Sequence, residues 1–151
     1  VLKANDRTWG KGVMLADDEE AAFAALKRAR EEYSVMQSQQ YIPEAAGQDI
    51  RVFVVGEEVA GAMRRRARSG DFRANAHLGG SAEGINDLPN AYARLALAAA
   101  KALRLDIAGV DLLESAAGPL ILEVNSSPGL KMIESVTGID IAGRIVKNSE
   151  Q

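Results

Sequence analysis

Apolar positions along the chain change their period several times, and each change marks an element. Val1-Leu2-Lys3-Ala4 opens the chain as a short strand, and Val13-Met14-Leu15 forms a second strand candidate. Asp17 then stands as a helix N-cap with Glu20 downstream, close to a capping box. Ala22, Leu26, Ala29 and Tyr33 repeat at helical spacing, one face of a helix of about 15 residues. Lys27, Arg28, Arg30, Glu31 and Glu32 make up its solvated face. Residues 35–41 read as extended, and Pro43 ends them. Residues 50–55 and 59–63 read as a hairpin turning at Gly56-Glu57. Residues 68–87 are a polar stretch rich in Gly, Ser, Asn and Arg, and a compact domain rarely keeps so long an irregular segment without a task. Leu88, Tyr92, Leu95, Ala99 and Leu103 share one face, which predicts a helix over 88–103. Two β-runs follow, 107–114 and 120–125, before Pro128-Gly129 breaks the chain. Ile139, Ala142, Ile145 and Val146 then form the stripe of a terminal helix. Helices and antiparallel hairpins alternate in this way in α+β folds.

Composition narrows the class. A chain of 151 residues suits one domain or one large subdomain. With 47% hydrophobic and 26% charged residues it has the material for a core and a wetted surface. The net charge of −3 offers no basic footprint for nucleic acid. No apolar run approaches the ~20 residues needed to cross a bilayer, so no membrane partner is expected. The absence of cysteine excludes disulfides and thiolate chemistry and is compatible with a cytoplasmic protein. Val1 enters a strand without a lead-in, so the chain reads as part of a longer protein.

The most informative segment is Gly109-Val110-Asp111-Leu112-Leu113-Glu114 followed by Leu120-Ile121-Leu122-Glu123-Val124-Asn125. A hairpin centred on Ala117 sets Asp111 opposite Glu123, Val110 opposite Val124 and Leu112 opposite Leu122. Period-2 alternation then puts the apolar pairs on one face and Asp111, Glu123 and Asn125 on the other. Like charges directly opposite repel, so they call for a cation, for solvent or for a proton. Two carboxylates and an amide oxygen are hard ligands suited to Mg²⁺, which completes its shell with water and phosphate. On spacing alone, a solvent-exposed hairpin with unremarkable acids accounts for the same residues. Asn125-Ser126-Ser127-Pro128-Gly129 leaves the strand as a small polar loop that a ligand can approach closely.

Taken together, Asp111, Glu123-Val124-Asn125 and Ser127-Pro128-Gly129 resemble the metal-binding end of ATP-grasp ligases. Gly70-Asp71-Phe72-Arg73-Ala74-Asn75 with Gly79-Gly80, Ile107-Ala108-Gly109-Val110-Asp111, and Thr137-Gly138-Ile139-Asp140-Ile141-Ala142-Gly143 resemble the signatures of RimK-type glutamate ligases. The resemblance implies a partial ATP-grasp fold, an antiparallel sheet with flanking helices. Residues 1–41 would be the remainder of the small ATP-binding subdomain, and 42–151 the large subdomain with the metal site. An N-terminal domain and the first part of the small subdomain would lie upstream, and a chain without them is expected to turn over weakly or not at all.

The same resemblance assigns roles. Asp111, Glu123 and Asn125 would hold Mg²⁺ or Mn²⁺ against the ATP phosphates. Lys3 would reach those phosphates, Gln40 and Tyr41 would meet the adenine edge, and Asp49 would lie near the ribose. Arg73, Ala74 and Asn75 would line the phosphate side, with Arg73 catalytic. Asp6-Arg7-Thr8-Trp9-Gly10-Lys11-Gly12-Val13 occupies the phosphate-covering loop, with Arg7 at a glycine position. Arg51 is a candidate for gripping a substrate carboxylate. Arg64-Arg65-Arg66 is either an attractor for an acidic substrate or a solvated run, and His77 is the sole histidine.

The implied reaction is ATP-dependent carboxylate–amine ligation through an acyl-phosphate. ATP and an amino acid, glutamate first, are the expected partners, with a protein C-terminus such as that of a ribosomal protein as acceptor and a homo-oligomer as a further expectation. A Mg-nucleotide-binding module without catalysis is the alternative, and a structural hairpin protein with no ligand is the third reading. Asp111→Asn is expected to weaken Mg-ATP binding and to relieve the repulsion across the hairpin.

Overall fold

The computed structural model describes residues 1–4, 12–33, 35–68 and 79–150. The chain divides into two compact units, Val1–Pro43 and Glu44–Gln151. In the first unit β1 (Leu2–Ala4) lies between β2 (Val13–Met14) and β3 (Met36–Ser38), antiparallel to both. Helix α1 (Glu19–Ala29) begins at Asp18, not at Asp17: the Asp18 carboxylate accepts the Ala21 N–H at 2.7 Å. With two aspartates side by side, apolar periodicity does not choose the cap. The cap at Asp18 puts Glu19 and Glu20 in the first turn, where the helix dipole favours them. Ala25 and Ala29 are buried on the predicted stripe, while Phe23 stands outside it, 64% exposed.

The second unit is built on a five-stranded antiparallel sheet ordered β6-β5-β4-β7-β8. Its strands are β4 (Gln48–Val55), β5 (Glu58–Arg66), β6 (Ser81–Gly84), β7 (Ile107–Ser115) and β8 (Gly118–Asn125). β4 runs up the middle and buries apolar residues on both faces, because each face is covered by helices. On one face Ile50, Val52, Val54, Ala62, Ala108, Val110 and Leu112 pack against Ala96, Ala99 and Ala100 of α2 (Asn90–Ala102). On the other, Phe53, Val55, Ala60 and Met63 pack against Ile133 of α3 (Lys131–Thr137) and Ile141 of α4 (Ile141–Ser149). The β4–β5 hairpin turns at Gly56, whose φ of 60° lies in the left-handed region that glycine enters without a Cβ clash.

Three further features differ from the sequence reading. Helix α3 was not foreseen, since seven residues give too few repeats for a helical period to declare itself. The polar stretch 68–87 contains β6, whose Ser-Ala-Glu-Gly carries no strand propensity and is held by its pairing to 63–66. The register of β7 with β8 shifts between Asp111 and Leu112, so Leu112 faces Ile121 instead of Leu122. The bulge sets two residues of β8 against one of β7 and leaves Leu120 and Ile121 on the surface.

Gly109 is needed for close approach. The loop after β8 folds back over β7, and a Cβ on Gly109 would come within 2.7 Å of Pro128 Cβ. Gly109→Ala should therefore displace this loop and lower unfolding stability by about 1–3 kcal/mol, the usual range for overpacking. Urea denaturation reads the change, and unaltered stability would contradict the contact.

Candidate nucleotide and metal site

Beyond the apolar core formed with α3 and α4, the same sheet face turns polar. Alternation along each strand puts Asp49 and Arg51 of β4, Arg65 of β5, Asp111 of β7, and Glu123 and Asn125 of β8 on this face. Register brings them together. Asp49 pairs with Arg65, Arg51 with Asp111, Asp111 with Glu123, and Gly109 with Asn125. The expected opposition of Asp111 and Glu123 is thus observed, and the bulge begins one residue further along β7.

The ion pairs on this face are bidentate. Arg51 Nε and Nη2 donate to Asp111 Oδ1 and Oδ2 at 2.6 and 2.7 Å. Arg65 Nε and Nη2 donate to Asp49 Oδ1 and Oδ2 at 2.7 and 2.6 Å, and the same Nη2 lies 2.8 Å from Asp111 Oδ2. Asp49 and Asp111 are each 4% exposed, Arg65 7%. The hairpin repulsion is therefore relieved by two guanidiniums, and no metal ion is required to explain it. Arg51, read from sequence as a substrate clamp, is engaged with Asp111.

Burial shapes the electrostatics. It pushes Asp49 up to about 6, against the opposing pull of the Arg65 hydrogen bonds and charge. Burial works against the Arg65 charge too, yet Asp49 and Asp111 hold its proton more tightly than in an ordinary arginine. Arg64 points to the α2 side, where it forks Glu114 and lies 3.8 Å from Glu83. The Arg64 hydrogen bond holds Glu114 below the usual carboxylate range. Arg66 pairs with Glu83 at 2.8 Å. All three residues of the run Arg64-Arg65-Arg66 are ion-paired, on alternating faces, with Arg65 buried and Arg66 on the surface.

Lys3 lies on β1, paired to Gln37 of β3 and Val13 of β2. Gln40 lines an open pocket of about 330 Å³ in the first unit with Leu2, Ala16, Ser38 and Gln39, and Tyr41 follows it as half-buried coil. Arg73, Ala74 and Asn75 lie outside the described residues, as do Arg7, Trp9, Lys11 and His77.

The donor set fits a hard divalent ion on three counts. A carboxylate offers about four lone pairs, and the two arginines take one on Asp111 Oδ1 and two on Oδ2, leaving one on Oδ1. Glu123 is exposed directly across the hairpin. The Asn125 amide nitrogen donates to the Gly109 carbonyl at 3.5 Å, which leaves the amide oxygen as its acceptor atom. Among the described residues no three His, Cys, Asp or Glu side chains converge, so an ion here would rest on two carboxylates, one amide and ligand oxygens.

Comparison with known proteins decides the family. A RimK-like ATP-grasp domain matches residues 1–148. This chain belongs to the RimK-like ATP-grasp family. It is 48% identical over all its residues to a probable alpha-L-glutamate ligase of Cellvibrio japonicus and 46% identical to one of Xanthomonas oryzae pv. oryzae. It spans about half the length of these relatives, 50% and 51%. Among solved structures, a RimK-domain ATP-grasp protein of Sphaerobacter thermophilus is 26% identical with a TM-score of 0.63, over 99% of this chain and 51% of that one. The D-alanine–D-alanine ligase of Bacillus anthracis complexed with ATP shares the fold at 21% identity, with a TM-score of 0.71 over 99% of this chain and 50% of its own. The α+β class, the antiparallel sheet with flanking helices and the ATP-grasp fold are thus as the sequence implied. Among the described residues no helix is long and apolar enough to cross a membrane.

Two predictions follow from the arginine-held carboxylates. Asp111→Asn leaves two guanidiniums with one carboxylate, so it should destabilise the fold by about 3 kcal/mol, as for other broken buried pairs. The expected relief of repulsion is outweighed, and a urea midpoint unchanged or raised would contradict the ion pairing. Asp49 should titrate near pH 6 by carbon NMR of its carboxyl. Its folded pKa lies above the ordinary value, so the native state binds the proton more tightly than the unfolded chain. Wild-type stability relative to Asp49→Asn should therefore rise as pH falls from 7 to 4, and a falling difference would refute the assigned direction.

Proposed function

We propose that the intact protein is an ATP-dependent carboxylate–amine ligase that uses glutamate and works in the cytoplasm. The single observation that supports this best is the co-facial set Asp111, Glu123 and Asn125 at the β7–β8 end of the sheet, flanked by Arg51 and Arg65. The two guanidiniums match the charges of Asp49 and Asp111. A divalent ion would make this patch net positive, suited to a nucleotide polyphosphate. Mg²⁺ or Mn²⁺, when bound at Asp111, Glu123 and Asn125, would neutralise phosphate charge. Lys3 would add a compact cation to the phosphates, and Arg73 and Asn75 would line the transferred group with Ala74 between them. Gln40 and Tyr41 would supply the adenine edge. Residues 1–41 would serve as the rest of the small ATP-binding subdomain and 42–151 as the large one.

In the reaction a substrate carboxylate oxygen attacks the γ-phosphorus of ATP and ADP leaves. An amine then displaces phosphate from the acyl-phosphate and forms the amide. The protein's part is alignment and charge balance. The curated relatives are probable alpha-L-glutamate ligases, which supports glutamate as the amino acid. A protein C-terminus as acceptor, such as a ribosomal protein's, and a homo-oligomeric state belong to the same proposal. One observation favours a second reading, a Mg-nucleotide-binding module without turnover: three of the four lone pairs on Asp111 are already taken by guanidiniums.

Glu123 is exposed, so Glu123→Gln tests the site without a load on the core. Calorimetry should show Mg-ATP affinity reduced by about tenfold or more, with the melting temperature held. Equal affinity in variant and wild type would remove the metal assignment. Phosphate release from ATP with glutamate, set beside binding, separates ligase from module.

A further inference from the structure

We propose that Arg65, anchored by Asp49, is a positioning residue that sets the carboxylate of Asp111 for the metal. This rests on the metal reading above. Asp49 is 4% exposed, and each of its oxygens accepts one hydrogen bond from the Arg65 fork. Its effect reaches the site through Arg65 Nη2, which sits 2.6 Å from Asp49 Oδ2 and 2.8 Å from Asp111 Oδ2 at once.

The geometry gives this shared nitrogen a specific task. Arg51 alone grips Asp111 through two parallel hydrogen bonds, a fork that fixes the carboxylate in its plane but still lets it tilt about the line joining its two oxygens. The third donor comes from β5, on the far side of β4 from β7, and pins Oδ2. The lone pair on Oδ1 is then the one left for a cation. Asp49 lies directly across from Arg65 in the β4–β5 register and fixes the guanidinium by Nε and Nη2 together. A buried ion pair is a poor stabiliser compared with apolar residues of similar size, so orientation explains the buried Asp49–Arg65 pair better than stability does. Groups that orient metal ligands from behind typically alter metal affinity by about 10–100-fold when removed.

The test uses the intact protein, Mn²⁺ with ADP, and electron paramagnetic resonance of the bound ion, with thermal melts to verify folding. Asp49→Asn and Arg65→Lys should each weaken Mn²⁺–ADP binding by about tenfold or more. Lysine keeps the charge but has no planar fork to span two carboxylates. Rescue by Arg65→Lys would mean that charge balance alone is at work and would overturn the inference. Glu114→Gln removes a carboxylate on the α2 face and should leave affinity unchanged, and an equal loss there would overturn the inference as well. Full affinity in Asp49→Asn beside a loss in Glu123→Gln would sink the positioning role and leave the metal site standing. Full affinity in Glu123→Gln would sink the metal site, and the positioning role with it.

Discussion

A carboxylate in the middle of a sheet is costly to bury, and Asp111 is tolerable there because two guanidiniums reach it from neighbouring strands. Arg51 comes from β4 and Arg65 from β5, so the charge on β7 is balanced across three strands. This arrangement needs the register of β5-β4-β7-β8 to be held tightly. The two apolar cores do that from either face, with α2 on one side and α3 and α4 on the other. Removing one partner leaves the others unbalanced in a poorly solvated place, and for that reason the quartet Asp49, Arg65, Asp111 and Arg51 behaves as a unit.

The ion-paired sheet and the exposed rim divide the work. Asp111 is held rigidly, while Glu123 and Asn125 sit on the edge strand β8, where ligand and solvent have access. The loop 126–130 crosses close over Gly109, so it is tied to the same strand that carries Asp111. A site of this kind joins one fixed carboxylate to adaptable neighbours. Under the proposed metal reading, that would suit an ion shared with the phosphates of a changing substrate.

Much of this could be read from the residues. The β4–β5 hairpin at Gly56-Glu57, helix α2 and the opposition of Asp111 to Glu123 follow from period and turn chemistry, because those segments are long and strongly patterned. Helix α3 and strand β6 could not be read, since one is two turns long and the other has no β-forming residues. The β7–β8 bulge was hidden too, because Leu120, Ile121 and Leu122 are all apolar and alternation cannot say which is displaced. The partners of the arginines were the largest gap. A side chain reaching across two strands leaves no trace in local spacing, so Arg51 and Arg65 read as ligand-facing or solvated. One signal was present in hindsight: Asp49, Arg51, Arg65 and Asp111 all fall on the same parity of their strands, with opposite charges alternating across them.

The central claim is that both guanidiniums are locked on buried carboxylates. Nitrogen NMR of arginine side chains in the intact protein tests this most directly. Arg51 and Arg65 should show Nε–H protons protected from solvent exchange and resolved Nη signals, as expected where rotation about Cζ–Nε is blocked. Averaged Nη signals and rapid Nε–H exchange for these two residues, like those of an arginine on the surface, would contradict the account.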